Sequence, residues 1–200
     1  KITTDDGLIG WSECTDSHGS PRGIAGVVKD LEKKLIGQNP LEFEKLYWDM
    51  YSATRQSPGS IIQKAIGGIE NALLDIKAKK LGVPVYELFG GPIRKKIPLY
   101  WSHWGTTRVR AADKVSVKPV TNLDDISGFV EETKKKGFNA IKTNVIIFNP
   151  NSQVYMPGFN KSEGGPELNV TSGIISNLVD YVGKIREVSG KNFSIMLDLG

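Results

Sequence analysis

Three short apolar runs in this 200-residue sequence end in side chains that can carry charge or exchange hydrogen bonds. Ile195-Met196-Leu197 runs into Asp198. Ala140-Ile141 runs into Lys142 and, two residues on, Asn144. Ile97 to Tyr100 runs into Trp101 and His103. A bare carboxylate at the end of an apolar strand calls for a cation, either a metal ion or a lysine from the adjacent strand. Side chains two residues apart on a strand project to the same side, so Lys142 and Asn144 share a face. Taken alone, Asp198 could be a helix cap or half of an ion pair, and Lys142 a salt-bridge partner. Together on neighbouring strands they make the pairing that enolate chemistry requires. Removing a proton next to a carboxylate builds a second negative charge, which needs positive charge already in place.

The elements that must position these groups fall into two kinds. Lys1 to Thr4, Asp5-Asp6-Gly7 and Leu8 to Glu13 read as a β-hairpin around an Asp-Gly turn. A breaker-rich loop, residues 14 to 23, leads to a helix with Ile24, Val27, Val28, Leu31 and Leu35 at three- and four-residue steps, closed by Gly37. A second helix carries Phe43, Leu46, Tyr47 and Met50. A third, with Ser60 as a candidate cap, places Ile62, Ile66, Ile69, Leu73 and Ile76 on one face before Gly82 and Pro84. From Ile97 strand alternates with helix: Ile97 to Trp101, a helix capped by Asp124 or Asp125, the strand Ala140 to Thr143, a long polar loop (145 to 166), a helix bearing Ile174, Ile175, Leu178, Val182 and Ile185, and the strand Phe193 to Leu197. Strands separated by such helices imply parallel βα units, which open either a doubly wound sheet or a (β/α) barrel. In both, reactive groups gather at the carboxyl ends of the strands.

Composition excludes several classes. With 39% hydrophobic and 24% charged residues the chain is globular, and its net charge of +4 comes from 26 basic and 22 acidic residues. The lysine runs at Lys77, Lys79 and Lys80 and at Lys134 to Lys136 lie in helical stretches and read as solvated faces, so no nucleic-acid partner is expected. No apolar run approaches the roughly 18 residues of a membrane span, and no secretion signal opens the chain, so a cytoplasmic protein without a membrane partner is expected. One cysteine, Cys14, precludes an intrachain disulfide. No glycine-rich phosphate loop follows any strand, which weakens a nucleotide- or phosphate-binding reading. Both ends fall at strand-like segments, as expected of a fragment.

Two stretches carry a specific resemblance. Thr3-Thr4-Asp5-Asp6-Gly7-Leu8-Ile9-Gly10-Trp11-Ser12-Glu13 resembles the capping-domain hairpin of the mandelate racemase and muconate lactonizing enzyme group of the enolase superfamily, with Ser12 where a glycine is common. Ala72 to Gly91, including Leu81-Gly82-Val83-Pro84 and Leu88-Phe89-Gly90-Gly91, is similar to that group's helix leading into its barrel. The resemblance implies an α+β capping domain (1–92) followed by the first part of an α/β, TIM-type barrel (93–200), with only the first three barrel strands in this chain. It also implies Mg2+ held by three carboxylates at successive strand ends, of which Asp198 matches the first. Enolase-superfamily sites in general pair a Lys or His base with one or two magnesium ions.

Lys142 matches the first lysine of the group's Lys-x-Lys motif. Asn144 stands where the second, basic lysine is common, a change similar to members that dehydrate sugar acids. The resemblance thus implies a Mg-dependent lyase acting on a small-molecule carboxylate, with a racemase, epimerase or cycloisomerase as the alternative and a noncatalytic binding protein of the same fold as a rival from another class. Asn144 cannot act as a base but can hydrogen-bond a substrate hydroxyl, which leaves the proton acceptor beyond Gly200. The loop from Cys14 to Gly23 matches the group's capping loop and makes His18 and Arg22 candidates for substrate contact, with Arg55 a weaker one; Trp101 and His103 are further candidates. The loop at 145 to 166 is long enough for a lid or a subunit contact, and a homo-oligomer is expected.

Overall fold

The computed structural model describes residues 1–15, 19–148, 150–156 and 169–199, and the chain divides into two compact units, Lys1–Lys95 and Lys96–Gly200.

In the first unit, strands β1 (Ile2–Thr3) and β2 (Ile9–Gly10) pair antiparallel, Ile2 opposite Gly10 and Thr3 opposite Ile9. The Asp5-Asp6-Gly7 turn joins them. Lys80 grips it through a 2.8 Å ion pair to Asp6, and that bond, with the Thr4 hydroxyl, lowers the Asp6 carboxyl to about 2. Three helices follow, α1 (Pro21–Glu32), α2 (Phe43–Ala53) and α3 (Ser60–Leu81). Ser20 caps α1 by accepting from the Gly23 N–H at 3.1 Å, with Pro21 in the first turn, where its missing N–H costs nothing. The helix stops at Glu32 rather than running to the glycine at 37, and the turns that follow keep Leu35 packed on the core.

The apolar stripe of α3 is buried at Ile66, Ile69, Leu73 and Ile76, and the first three pack with Leu31, Leu46 and Met50. Ser60 is not its cap: Gly59 occupies that position, no side chain bonds there, and Ser60 itself has φ +40°. Strand β2 lies directly on α3, where a Cβ at Gly10 would come within 2.1 Å of the Ala72 carbonyl oxygen, so only glycine fits.

The second unit runs α4 (Thr106–Arg110), α5 (Asp125–Lys135), β3 (Ala140–Asn144), β4 (Ile146–Ile147), β5 (Gln153–Val154), α6 (Ser172–Ser189) and β6 (Ser194–Asp198). Strands β3 and β6 are parallel and in register from Ala140 opposite Ser194 to Asn144 opposite Asp198. The run Ile97 to Trp101 forms no strand. Only Trp101 bridges to Ile141, and Ile97 and Leu99 stay exposed. Pro98 interrupts the run because it has no N–H to offer a ladder.

Within the described part of the long loop β4 and β5 pair antiparallel, and the remainder of the loop, 157 to 166, lies outside the described residues. At α5 Asp124 holds the N-cap position, as expected, but its side chain makes no capping bond. Asn122 accepts from the backbone N–H groups of Asp124 and Asp125, at 2.9 and 3.2 Å, while Asp125 ties down Thr121 and Lys118. The core of this unit gathers Trp104, Ile126, Phe129, Val130, Ile141, Ile146, Tyr181, Ile185 and Phe193 between the sheet and the two long helices, with Trp104 stacked on Phe129 at 4.2 Å. Among the described residues no helix is long and apolar enough to cross a membrane.

Candidate functional site

Alternation along β3 divides its side chains. Ile141 is buried in the core against the helices, and the Thr143 hydroxyl meets Tyr181 of α6 at 2.9 Å. Lys142 and Asn144 therefore project from the other face, and the in-register pairing puts Met196 and Asp198 of β6 on that same face. Parallel strands in register bring their carboxyl ends level. This is how residues 54 positions apart come to touch.

The Lys142 ammonium lies 2.7 Å from the Asp198 carboxylate, both side chains 37% exposed. The hydrogen bond to Asp198, reinforced by its charge, raises the Lys142 pKa, so this amine is held as a cation rather than prepared as a base. Asn144 is buried. Its Oδ1 accepts from the Thr106 hydroxyl at 2.9 Å, and its Nδ2 points at the Asp198 carbonyl oxygen, 3.5 Å away. One face of two strand ends thus presents a cation, an anion and an amide.

The other candidates are placed as follows. His103 is exposed, has φ +50°, and sits in the turn just before Trp104, whose N–H donates to the Lys142 carbonyl at 3.0 Å. Trp101 is turned toward the helices. Its ring packs on Phe129 and Phe138, each at 5.5 Å, under the Lys136 ammonium, because its bridge partner is Ile141 and both point to the helices. It faces away from Lys142. Arg22 is exposed in the first turn of α1, in the other unit, and Arg55 donates to the Ser52 carbonyl at 3.1 Å. His18 lies outside the described residues. Cys14 donates to the Lys64 carbonyl at 3.1 Å, and partial burial raises its thiol pKa, the opposite of an activated nucleophile.

Asp198 offers hard carboxylate oxygens of the kind that suit Mg2+. Among the described residues no group of three or more His, Cys, Asp and Glu side chains is gathered where it could hold a metal ion, so Asp198 fits as one ligand and no complete set is present.

Sequence reasoning missed the supports behind the strand ends. Thr143 donates to the Trp104 carbonyl at 2.5 Å and pairs with Tyr181, whose phenol is pushed well above its usual range by burial. Gly105, with φ +78°, sits where a Cβ would meet Ile146 Cδ1 at 2.7 Å and the Tyr181 hydroxyl at 3.0 Å. Arg108 makes two bonds to the Glu132 carboxylate, 2.9 and 2.8 Å, one to the Lys118 carbonyl, and lies 4.0 Å over the Phe129 ring. None of these pairings has a spacing signal in sequence.

The sequence model of the mandelate racemase / muconate lactonizing enzyme N-terminal domain matches residues 1–90. D-galactonate dehydratase from Verminephrobacter eiseniae is 44% identical over 100 residues, which are 50% of this chain and 26% of that protein. D-galactonate dehydratase from Ralstonia pickettii is 45% identical over the same shares. Among solved structures, a provisionally assigned L-alanine-DL-glutamate epimerase from Burkholderia xenovorans strain LB400 superposes with TM-score 0.88 at 40% identity over 98% of this chain and 50% of that one. A second structure with that assignment, from the same strain, described as bound to magnesium and fumarate, superposes at 0.89 with 41% identity. A provisionally assigned dehydratase from Mesorhizobium loti superposes at 0.75 with 33% identity over 98% of this chain and 46% of that one. The chain spans about half the length of these solved structures and its alignment about a quarter of the curated relatives.

Proposed function

We propose that this chain belongs to the mandelate racemase and muconate lactonizing enzyme group of the enolase superfamily and carries part of the active site of a magnesium-dependent lyase that removes water from a sugar acid. The observation that supports it is the 2.7 Å contact of Lys142 with Asp198 beside the Asn144 amide, on the carboxyl ends of adjacent parallel strands. In this reading the two strands belong to a barrel completed by the rest of the protein, and Asp198 is one of several carboxylates that hold Mg2+ there. When bound, Mg2+ supplies Lewis-acid stabilisation of the charge that builds on the substrate carboxylate.

The chain's own residues do the following. Lys142, held as a cation, binds the substrate carboxylate and offsets the second negative charge that appears when the neighbouring C–H loses its proton. Asn144 holds a substrate hydroxyl. A base elsewhere in the protein takes the proton; the C–H electron pair becomes the enolate double bond, the β-hydroxyl departs as water with a proton from an acid, and the resulting enol tautomerises to a 2-keto acid. Asn144 supports dehydration over racemisation, because a neutral amide in place of a second lysine removes one of the two bases a racemase uses on opposite faces of the carbon.

The second reading is an epimerase, favoured by the Burkholderia xenovorans likeness at 40% identity. Incubating the full-length enzyme with a library of sugar acids and magnesium, with products read by mass, separates the two. Loss of one water supports the proposal, and epimers of unchanged mass as the only products sink it.

A further inference from the structure

We propose that Thr106 is a positioning residue for this site: its hydroxyl holds the plane of the Asn144 carboxamide, whose nitrogen, not its oxygen, faces the end of β6. The inference rests on the reading of Asn144 as the group that meets a substrate hydroxyl. A carboxamide has two unlike ends, a carbonyl that only accepts and an NH2 that only donates. Which end it presents decides what it does: an N–H can donate to a hydroxyl oxygen as it departs, whereas a carbonyl oxygen could only hold the hydroxyl's proton and oppose its leaving.

One contact sets the choice here, and a second holds it. The Thr106 hydroxyl donates to Asn144 Oδ1 at 2.9 Å, and both residues are buried, at 7% and 6% exposure. On the other side Nδ2 points at the Asp198 backbone carbonyl, 3.5 Å away, which can only accept. A flipped amide would set oxygen against oxygen there. A hydroxyl can donate or accept, so the Asp198 carbonyl sets which end faces β6, and the shorter, more buried Thr106 contact holds the amide in that plane.

The backbone is built to make this reach possible. Gly105, at φ +78°, turns the chain into α4 through a space bounded by Ile146 and Tyr181 that no side chain at 105 could share, and Thr106 is the next residue. Its hydroxyl arrives 38 positions away in sequence from the amide that it holds. Asn144 itself ends β3 in register with Asp198, so its backbone is fixed by the ladder and the amide plane is the freedom that remains.

The test is a kinetic double-mutant cycle in the full-length enzyme with magnesium: Thr106→Val, Asn144→Ala, the double variant, and Thr106→Ser. Thr106→Val is expected to lower kcat about tenfold, the effect of losing one positioned hydrogen bond, and to move KM by less than about twofold. Thr106→Ser, which keeps the hydroxyl, is expected to restore kcat to within about twofold, and Thr106→Val is expected to cost nothing further once Asn144 is alanine. If Thr106→Val does not fold, Thr106→Cys, similar in size with a much weaker donor, takes its place. Losses that multiply in the double variant, a wild-type kcat for Thr106→Val, or no rescue by serine would each overturn the proposal. The cycle is run on whichever product forms. A wrong reaction type therefore fails in the product masses, and a wrong role for Thr106 fails in the cycle.

Discussion

Gly105→Ala should destabilise the protein by about 2–5 kcal/mol, and the size follows from two separate costs. The backbone at Gly105 has φ +78°, where an L-residue pays about 1–2 kcal/mol. The added methyl would also stand 2.7 Å from Ile146 Cδ1 and 3.0 Å from the Tyr181 hydroxyl. Both neighbours are fully buried, so neither can swing into solvent, and overpacking of such a core costs about 1–3 kcal/mol. Urea unfolding of the full-length protein, followed by tryptophan fluorescence, should show the midpoint fall by about 1–2 M at unchanged slope. Gly128→Ala is the counter-case. Gly128 is exposed in α5 with nothing within 4 Å of a new Cβ, and the same change there should stabilise by about 0.5–1 kcal/mol. Gly105→Ala within about 0.5 kcal/mol of wild type would refute the claim that this turn is shaped around a missing side chain.

Two further outcomes are expected. Glu132→Gln leaves the buried Arg108 without its carboxylate; because Glu132 is itself about a third exposed, the loss should be about 1–3 kcal/mol in urea unfolding, below that of a fully buried pair. Asp125, held below the ordinary carboxylate range first by the Thr121 N–H, then by Lys118 and the Thr121 hydroxyl, contributes stability that is present above about pH 4 and lost as the pH falls through its lowered folded value. Asp125→Asn should therefore lower stability at neutral pH and flatten the acid limb of a stability-against-pH curve; an unchanged limb would contradict the assignment.

How much of this was legible in the sequence depended on distance along the chain. The face shared by Lys142 and Asn144 follows from strand alternation, and the arrival of Asp198 beside them follows once two βα units are taken as parallel. The apolar stripe of α3 was legible for the same reason, as a local period. What failed was non-local. Trp101 was grouped with His103 by type and strand-end position, while its bridge to Ile141 turns the ring to the helices. Pro98 reduced the expected first strand to one bridge. The five residues of α4 are too few to carry a period, and the partnership of Thr106 with Asn144 spans 38 positions. Asp124 sits at the N-cap of α5 as expected, but the side chain that accepts the first N–H groups belongs to Asn122, which reaches those of Asp124 and Asp125.

The claim that Asp198 anchors a magnesium site beside Lys142 is tested most directly by the magnesium dependence of turnover on a sugar acid in full-length wild type and Asp198→Asn. Asparagine keeps the shape and removes the charge. The account predicts magnesium-dependent loss of water in the wild type and a fall in kcat/KM of more than about a hundredfold in the variant, since this stabilisation is worth several kcal/mol. Wild-type turnover by Asp198→Asn, or turnover in the wild type that persists after magnesium is chelated, would contradict it.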